Sequence, residues 1–473
     1  MDKRLIKNSI IYTVASVLQK GILFLLLPVY TAFLSTSEYG ILNVITSIIS
    51  LLSALFLLSL QAAAARLNFL DKYANIRSQV WGTILVMILL NSLIMGSVFF
   101  LFRKELMCPL ARGIEFYPFL FIALLTTIVN PLYLYFQTYL QTIQDAKRYA
   151  INMLTNFGIN VSLILILLII FNKGVLGILY ANLITAILFF LYSIKAFLPK
   201  IKVCVSKNIV KEALKYSLPL LPHTTSSWVM AMVDKVLLNN ILSASAAGVY
   251  SAGYQLGGAM NIVTSAVSQA YTPWFFQQVK KGEKGLEEIF LFAKYASMTF
   301  ALIAMLFSFV SKEVCCLILS DEYEEAYLVI LFVAFGYVYF GLYVLYVATL
   351  FLKKTYYVTG ITFIAALSGI FFNLMLIPVL GMIGSGVSIL ISYFLTALLA
   401  WLLSYYNKIK FPFFKTIGSV SLIFLITLGT VFITDDLYGW LYKSVVLLIM
   451  ICIVSRYFND FVMLFFKICR KDK

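Results

Sequence analysis

Lys20 stands near the middle of an otherwise apolar stretch, residues 9–34. A lysine at that depth of a membrane helix costs about 2.5–3.5 kcal/mol on insertion scales, so it is a functional candidate by default. Ser9, Thr13 and Ser16 precede it at spacings of 4, 3 and 4, which puts all four on one helical face. Asn43, Thr46, Ser50 and Ser53 make a second stripe along the next apolar stretch. His223, Ser227 and Asp234 share a face at spacings of 4 and 7, and Tyr254, Asn261, Ser265 and Ser268 form a fourth set. The chemistry open to such faces is recognition. A cation with hydroxyls and amides around it can replace water on an anionic, polar solute. Bond-making has less support. The single histidine lacks a partner acid in reach, which makes a poor acyl-transfer site. The six cysteines include no CxxC and no Cys/His metal spacing. No catalytic residue and no metal site is expected.

Each of these residues has a plainer reading that the sequence leaves open. Ser, Thr and Asn stripes also serve as helix–helix contacts in lipid. Lys20 could be a structural ion-pair partner, and Asp234 could pair with a cation. Lys235 is turned from Asp234 by about 100°, in position to snorkel outward. His223 could be a hydrogen-bonded packing residue. Arg66 follows Gln61 and four alanines, where a positive anchor at the membrane interface is common. The residues expected to contact a transported solute are Lys20, Arg66, Asn43, Ser50, Gln61, Asn261 and Gln269. Asp234, His223 and Lys235 are the candidates for coupling or gating.

The elements that must hold these residues follow from composition. Of 473 residues, 62% are apolar and only 12% charged. A soluble domain carries about twice that share of charge, so this is an all-α polytopic membrane protein. A bilayer core needs about twenty apolar residues per helix. Runs of that length number about fourteen, from 9–34 and 41–61 to 416–434 and 438–458, with 214–241 and 246–270 the seventh and eighth. The longest polar stretches, 198–213 and 276–289, leave no room for a catalytic module outside the membrane. The first apolar stretch is long and has no small-residue cleavage site, so it reads as a retained helix.

The net charge of +16 would suggest a nucleic-acid partner if it formed one surface. Instead it lies in short clusters between apolar runs, and no nucleic acid is expected. With the N-terminus inside, 28 of the 36 Lys and Arg residues fall in inner segments and 6 in outer loops. The excess of positive charge on one side predicts that both termini are cytoplasmic. The outer loops are acidic, as at Asp321, Glu322, Glu324 and Glu325.

The chain also repeats itself. Leu34 to Gly40 is matched by Leu242 to Gly248, an offset of 208. Gln61 and Gln269 share that offset, as do Tyr149 and Tyr357. Gly174-x-x-Gly177 and Gly381-x-x-Gly384 differ by 207. These landmarks predict a duplicated six-helix unit. Six is even, so both halves cross the membrane in the same sense. The expected divisions are 1–200 for one six-helix lobe, 201–410 for the other, and 411–473 for two further helices and a cytoplasmic tail.

Leu25-Leu26-Leu27-Pro28-Val29-Tyr30-Thr31, Glu38-Tyr39-Gly40, Tyr216-Ser217-Leu218-Pro219, Asp234-Lys235 and Ala247-Gly248-Val249-Tyr250-Ser251 together resemble the polysaccharide transporter family. That family of O-antigen and capsule-unit flippases belongs to the multidrug/oligosaccharidyl-lipid/polysaccharide exporter superfamily. The resemblance spans helices 1–12. It implies a MATE-like fold of two six-helix lobes around a central cavity that opens alternately to each side. It implies a bacterial inner-membrane protein of lipopolysaccharide, capsule or exopolysaccharide synthesis, and a cargo of undecaprenyl-pyrophosphate-linked oligosaccharide. A polysaccharide polymerase and a chain-length regulator are the protein partners it suggests. Cationic cavity residues are thought to hold the pyrophosphate; here that role falls to Lys20 and, after it, Arg66.

A multidrug antiporter of the same fold is the alternative, but it favours acidic cavity residues, and Asp234 is the sole mid-helix carboxylate. A membrane-bound polymerase or acyltransferase needs a larger outer loop or a polar catalytic cluster; the first outer loop is only Ser35 to Gly40. No cofactor is expected. Outward movement of an anion is favoured by about 2.3 kcal/mol per charge per 100 mV, so a coupling ion is not demanded, and the choice between Na+ and H+ stays open.

Overall fold

The computed structural model describes residues 3–348, 356–431 and 438–449; the side chains of several residues between 3 and 23, and those of 356, 430 and 431, lie outside that description. The chain forms two compact units, Met1–Gly248 and Val249–Lys473.

The first unit begins with α1 (Lys3–Phe33), α2 (Thr36–Leu57) and α3 (Leu60–Leu67). It continues through α4 (Arg77–Leu101), α5 (Arg103–Leu106), α6 (Phe121–Val129), α7 (Pro131–Thr142), α8 (Ala146–Leu165) and α9 (Gly174–Phe197). It then forms α10 (Lys207–Ser217), α11 (Leu221–Ile241) and the first turns of α12 (Ala244–Gly257). The second unit holds the rest of α12, α13 (Ala259–Val279), α14 (Glu283–Phe309), α15 (Ser311–Ile318), α16 (Tyr327–Val347), α17 (Tyr356–Leu380), α18 (Met382–Tyr406) and α19 (Ser419–Val431). Within it, α16 packs against α13, α14 and α18, and α17 lies along α18.

Among the described residues, nine helices are long and apolar enough to cross a bilayer. This is a multi-pass membrane protein. The 21-residue α11 and α13 are not among the nine, because the polar stripes lower their hydropathy. The two expected C-terminal spans are described only as shorter apolar helices, Phe414–Gly429 and Tyr438–Ile449; the remainder of both lies outside the described residues.

Four expected helices are broken: the second, 41–61, at Leu58 and Ser59, whose φ is positive, and three others at a proline or glycine. The seventh span, 214–241, is not continuous. α10 starts earlier, inside the stretch read as a polar link, and a single 3-10 turn at Leu218–Leu220 separates it from α11. Pro219 and Pro222 cannot donate to a preceding turn, so each sits in the first turn of a new segment. The eighth span is interrupted at Gly258, after Gly257, where the backbone has least helix preference. The fourth span, 117–140, is interrupted at Asn130, and Pro131 opens α7.

The repeat is visible in local structure. Ser35 caps α2: its hydroxyl accepts the Glu38 N–H at 3.3 Å, and the Glu38 carboxylate accepts the Ser35 N–H at 3.1 Å. Ser243, 208 residues on, caps α12 through the Ala246 N–H at 3.1 Å. The short α5 and α15 start at 103 and 311, again 208 apart. Gly174 and Gly381 open α9 and α18 with φ of +53° and +61°, a conformation only glycine adopts without strain.

Trp81 anchors the core of the first unit. It is 1% exposed and lies against the rings of Tyr135, Tyr139 and Phe197, with centroids 5.1, 5.1 and 6.4 Å away. Its indole N–H donates to the Asn68 side chain at 3.0 Å, and its carbonyl accepts the Tyr135 hydroxyl at 3.0 Å. Trp81→Ala should therefore cost about 3–5 kcal/mol. A fall in the thermal unfolding midpoint of the detergent-purified protein checks this, and an unchanged midpoint would contradict the packing.

Candidate functional site

Lys20 lies on α1, and its side chain is outside the described residues. The other candidate residues can be placed.

α2 is the informative element. The exposed residues along its 22 positions are Ser37, Thr46 and Ser50, all hydroxyl-bearing. A helix facing lipid looks different: α9 exposes Tyr180, Ile184, Ile187, Leu188, Leu191 and Tyr192. The Thr46 hydroxyl donates to the Leu42 carbonyl at 2.8 Å, but a face that exposes hydroxyls and no large apolar side chain is suited to a water-filled path. Asn43 lies beside it, with its amide donating to the Tyr39 carbonyl at 2.9 Å. Just beyond the break at Leu58 and Ser59, the Gln61 side-chain oxygen Oε1 is buried and has no hydrogen-bond partner among the described residues.

In the second unit, α13 exposes Ala266, Gln269, Pro273 and Gln277 but no large apolar side chain. Thr264, Ser265, Ser268 and Gln269 line a cavity of about 210 Å3 with Phe340, Gly341 and Val344. Asn261 accepts a hydrogen bond from Ser265 at 2.8 Å. The eighth-helix stripe therefore borders space along part of its length.

On α11, Ser227 is exposed and His223 half-buried. Asp234 is 2% exposed, and its carboxylate accepts the Lys235 backbone N–H at 2.9 Å. Lys235 does not snorkel outward. It is 7% exposed, with its ammonium 3.7 Å from the Met232 sulfur. The helical rotation alone suggested an outward path; the packing of α11 against α2 removes it. Trp228 reinforces that packing, its indole N–H donating to the Ser47 carbonyl at 2.8 Å.

α2 and the first turns of α12 meet at two glycines that the sequence marks only as repeat landmarks. A Cβ on Gly40 would overlap the Ala244 carbonyl oxygen and stand 2.9 Å from the Gly248 nitrogen. A Cβ on Gly248 would overlap the Thr36 carbonyl oxygen and stand 3.0 Å from the Gly40 nitrogen. Thr36 and Ser245 share a hydroxyl–hydroxyl hydrogen bond of 2.8 Å alongside. Small residues allow such backbone approach between membrane helices.

Arg66 closes α3 and is exposed, its guanidinium lying 4.4 Å from the centroid of the Tyr216 ring at the end of α10. Nearby, Lys72 is ion-paired with Glu212 of α10. The Lys72 hydrogen bond holds the Glu212 carboxyl below the usual carboxylate range, so the pair stays ionised at neutral pH. Lys207 and Lys211 fall in 198–213, which reads as a polar link, while Lys215 and Tyr216 open the seventh span, so the sequence does not group them as one site. The spacing of Lys207, Lys211 and Lys215 by four was the available signal.

Residues 5–279, more than half of the chain, match the family model described as polysaccharide biosynthesis protein. The chain belongs to this family. The chain is 23% identical over 411 residues to the "Lsg locus putative protein 1" of Haemophilus influenzae, covering 83% of this chain and 98% of the relative. Its fold is similar to that of the lipid II flippase MurJ in an inward closed conformation, with TM-score 0.63, 17% identity, and 96% and 100% of the two chains covered. It is also similar to an inward-facing multidrug resistance MATE family transporter of the MOP superfamily, with TM-score 0.61, 16% identity, and 85% and 94% covered. The chain thus has a MATE-like, all-helical fold.

Proposed function

We propose that the protein is a flippase carrying undecaprenyl-pyrophosphate-linked oligosaccharide from the cytoplasmic to the outer leaflet of the bacterial inner membrane by alternating access. The observation that carries this reading is α2, a membrane helix whose exposed side chains are all hydroxyls. A sugar chain crossing the bilayer must exchange water for such groups, while the prenyl tail stays in lipid. The family, and the fold shared with a lipid II flippase, support the same direction.

In this reading Lys20 and Arg66 attract the pyrophosphate, and Asn43, Ser50, Gln61, Asn261 and Gln269 contact sugar. Asp234, with His223 and Lys235 on the same helix, serves the gate. The membrane potential favours outward movement of the anionic headgroup, so the cycle does not demand Na+ or H+ coupling. The exported unit then passes to a polysaccharide polymerase and its chain-length regulator. Complementation of a strain lacking its own repeat-unit flippase tests the function. Restored surface glycan is the expected result; a correctly inserted protein that restores none would reject it.

In this reading both termini are cytoplasmic, as the excess of Lys and Arg in the inner segments supports. An impermeant thiol reagent applied outside should label a cysteine introduced at Ser37 and leave one at Lys207 untouched. The opposite pattern would overturn the orientation.

A further inference from the structure

A cavity of about 530 Å3 lies between the end of α3 and the polar face of α10. Arg66, Lys72, Lys211 and Lys215 line it, Glu212 is the one acid among its lining residues, and Tyr216 forms a wall. α10 is seated by Ile209 and Ala213, both 1% exposed or less, which leaves Lys211 and Lys215 on the outer face one turn apart.

The charges do not balance. Glu212 is taken up by Lys72. Among the described residues, Arg66, Lys211 and Lys215 have no ion-pair partner. Three cations gathered around one cavity repel each other unless an anion sits between them. Stacking on Tyr216 holds the Arg66 guanidinium in place, and its fork of N–H donors matches phosphate oxygens. In the proposed orientation this cavity lies on the cytoplasmic side, where basic residues meet the headgroups of the inner leaflet.

We propose that this cavity binds the phosphate group of a lipid headgroup in the inner leaflet, with Arg66, Lys211 and Lys215 as its ligands. That the lipid is the pyrophosphate-linked cargo, waiting before it enters the path between the helices, rests on the proposed flippase function. Lys72 is the reserve cation. An arriving phosphate competes with Glu212 for it and so loosens the tie between α10 and the segment after α3.

The test uses the full-length protein in phosphatidylcholine nanodiscs, titrated separately with a polyprenyl pyrophosphate, phosphatidylglycerol and inorganic pyrophosphate. Each cation near a headgroup contributes about a fivefold factor in affinity. Lys211→Gln with Lys215→Gln should therefore weaken lipid binding by about 30-fold. Glu212→Gln should strengthen it, a change of sign that misfolding cannot produce. If both lipids bind and both respond to these variants, the cavity is a general phospholipid site and the proposal holds for the shared chemistry. If only polyprenyl pyrophosphate responds, the site is for cargo. If inorganic pyrophosphate alone responds, the lipid is not the ligand and the proposal is overturned. Polyprenyl pyrophosphate binding that is equal in all variants would also overturn it while leaving the flippase reading intact. Lysine-dependent binding of phosphatidylglycerol with none of polyprenyl pyrophosphate would do the reverse.

Discussion

Gly40→Val and Gly248→Val are each expected to cut export by about tenfold or more in protein that still inserts. The first turns of α2 and α12 approach so closely that a Cβ at either glycine would overlap a carbonyl oxygen of the facing turn. Backbone cannot move aside as a flexible side chain can, so the two turns must separate. Overpacking of this kind costs about 1–3 kcal/mol. That is affordable for folding but amounts to a population shift of about 5- to 150-fold against the closed arrangement. In the proposed orientation these turns lie at the outer face, so the variants hold that side open. Two readouts are needed: complementation, and labelling of a Ser37 cysteine from outside, which should rise. Gly158→Val is the control, because a Cβ there has nothing within 4 Å. Normal export and unchanged labelling in Gly40→Val would mean the contact plays no part in the cycle.

Lys20→Met is expected to abolish export and to insert better than the native chain. A mid-helix lysine costs about 2.5–3.5 kcal/mol on insertion scales, and methionine removes that penalty. A lysine kept at this cost has three physical fates: it pairs with an acid, it sheds its proton, or it faces water and receives an anion. Asp234, 2% exposed on α11, is the carboxylate for the first fate. In the proposed function, an anionic headgroup arriving from the cytoplasm competes with it, which would bias the protein toward the outward opening and give the ligand a differential contact in the two states. Lys20→Arg should keep part of the activity. Asp234→Asn should slow the cycle without preventing cargo binding. Complementation scored together with the amount of inserted protein separates the roles. Full export by Lys20→Met would make the residue a structural lysine.

The helical class and the repeat were legible because each rests on a local signal. Apolar run length marks the spans, and Ser35 with Ser243, or Gly174 with Gly381, mark equivalent caps and turns. The breaks were less legible. Pro219 and Pro222 stand inside the seventh span, but a proline in a membrane helix either kinks it or starts it anew, and neighbours decide which. Lys235 was misjudged because rotation along a helix says where a side chain starts, and only the packing of α2 against α11 says where it can go. The basic cavity beside Arg66 was hidden for a related reason. Arg66 and Lys215 are 149 residues apart, and a charge counted as a loop anchor gives no sign of which distant charge it will face.

The glycine contact has a symmetry of its own. Gly40 faces Ala244, and Gly248 faces Thr36; moved by 208 positions, the first pair becomes the second with its members exchanged. Such a contact is isologous, the kind that two identical subunits form across a two-fold axis. Here both sides of the contact belong to one polypeptide, so they need not stay the same. Asp234 on one side and a lysine at position 20 on the other are differences that an obligate symmetric pair could not have held.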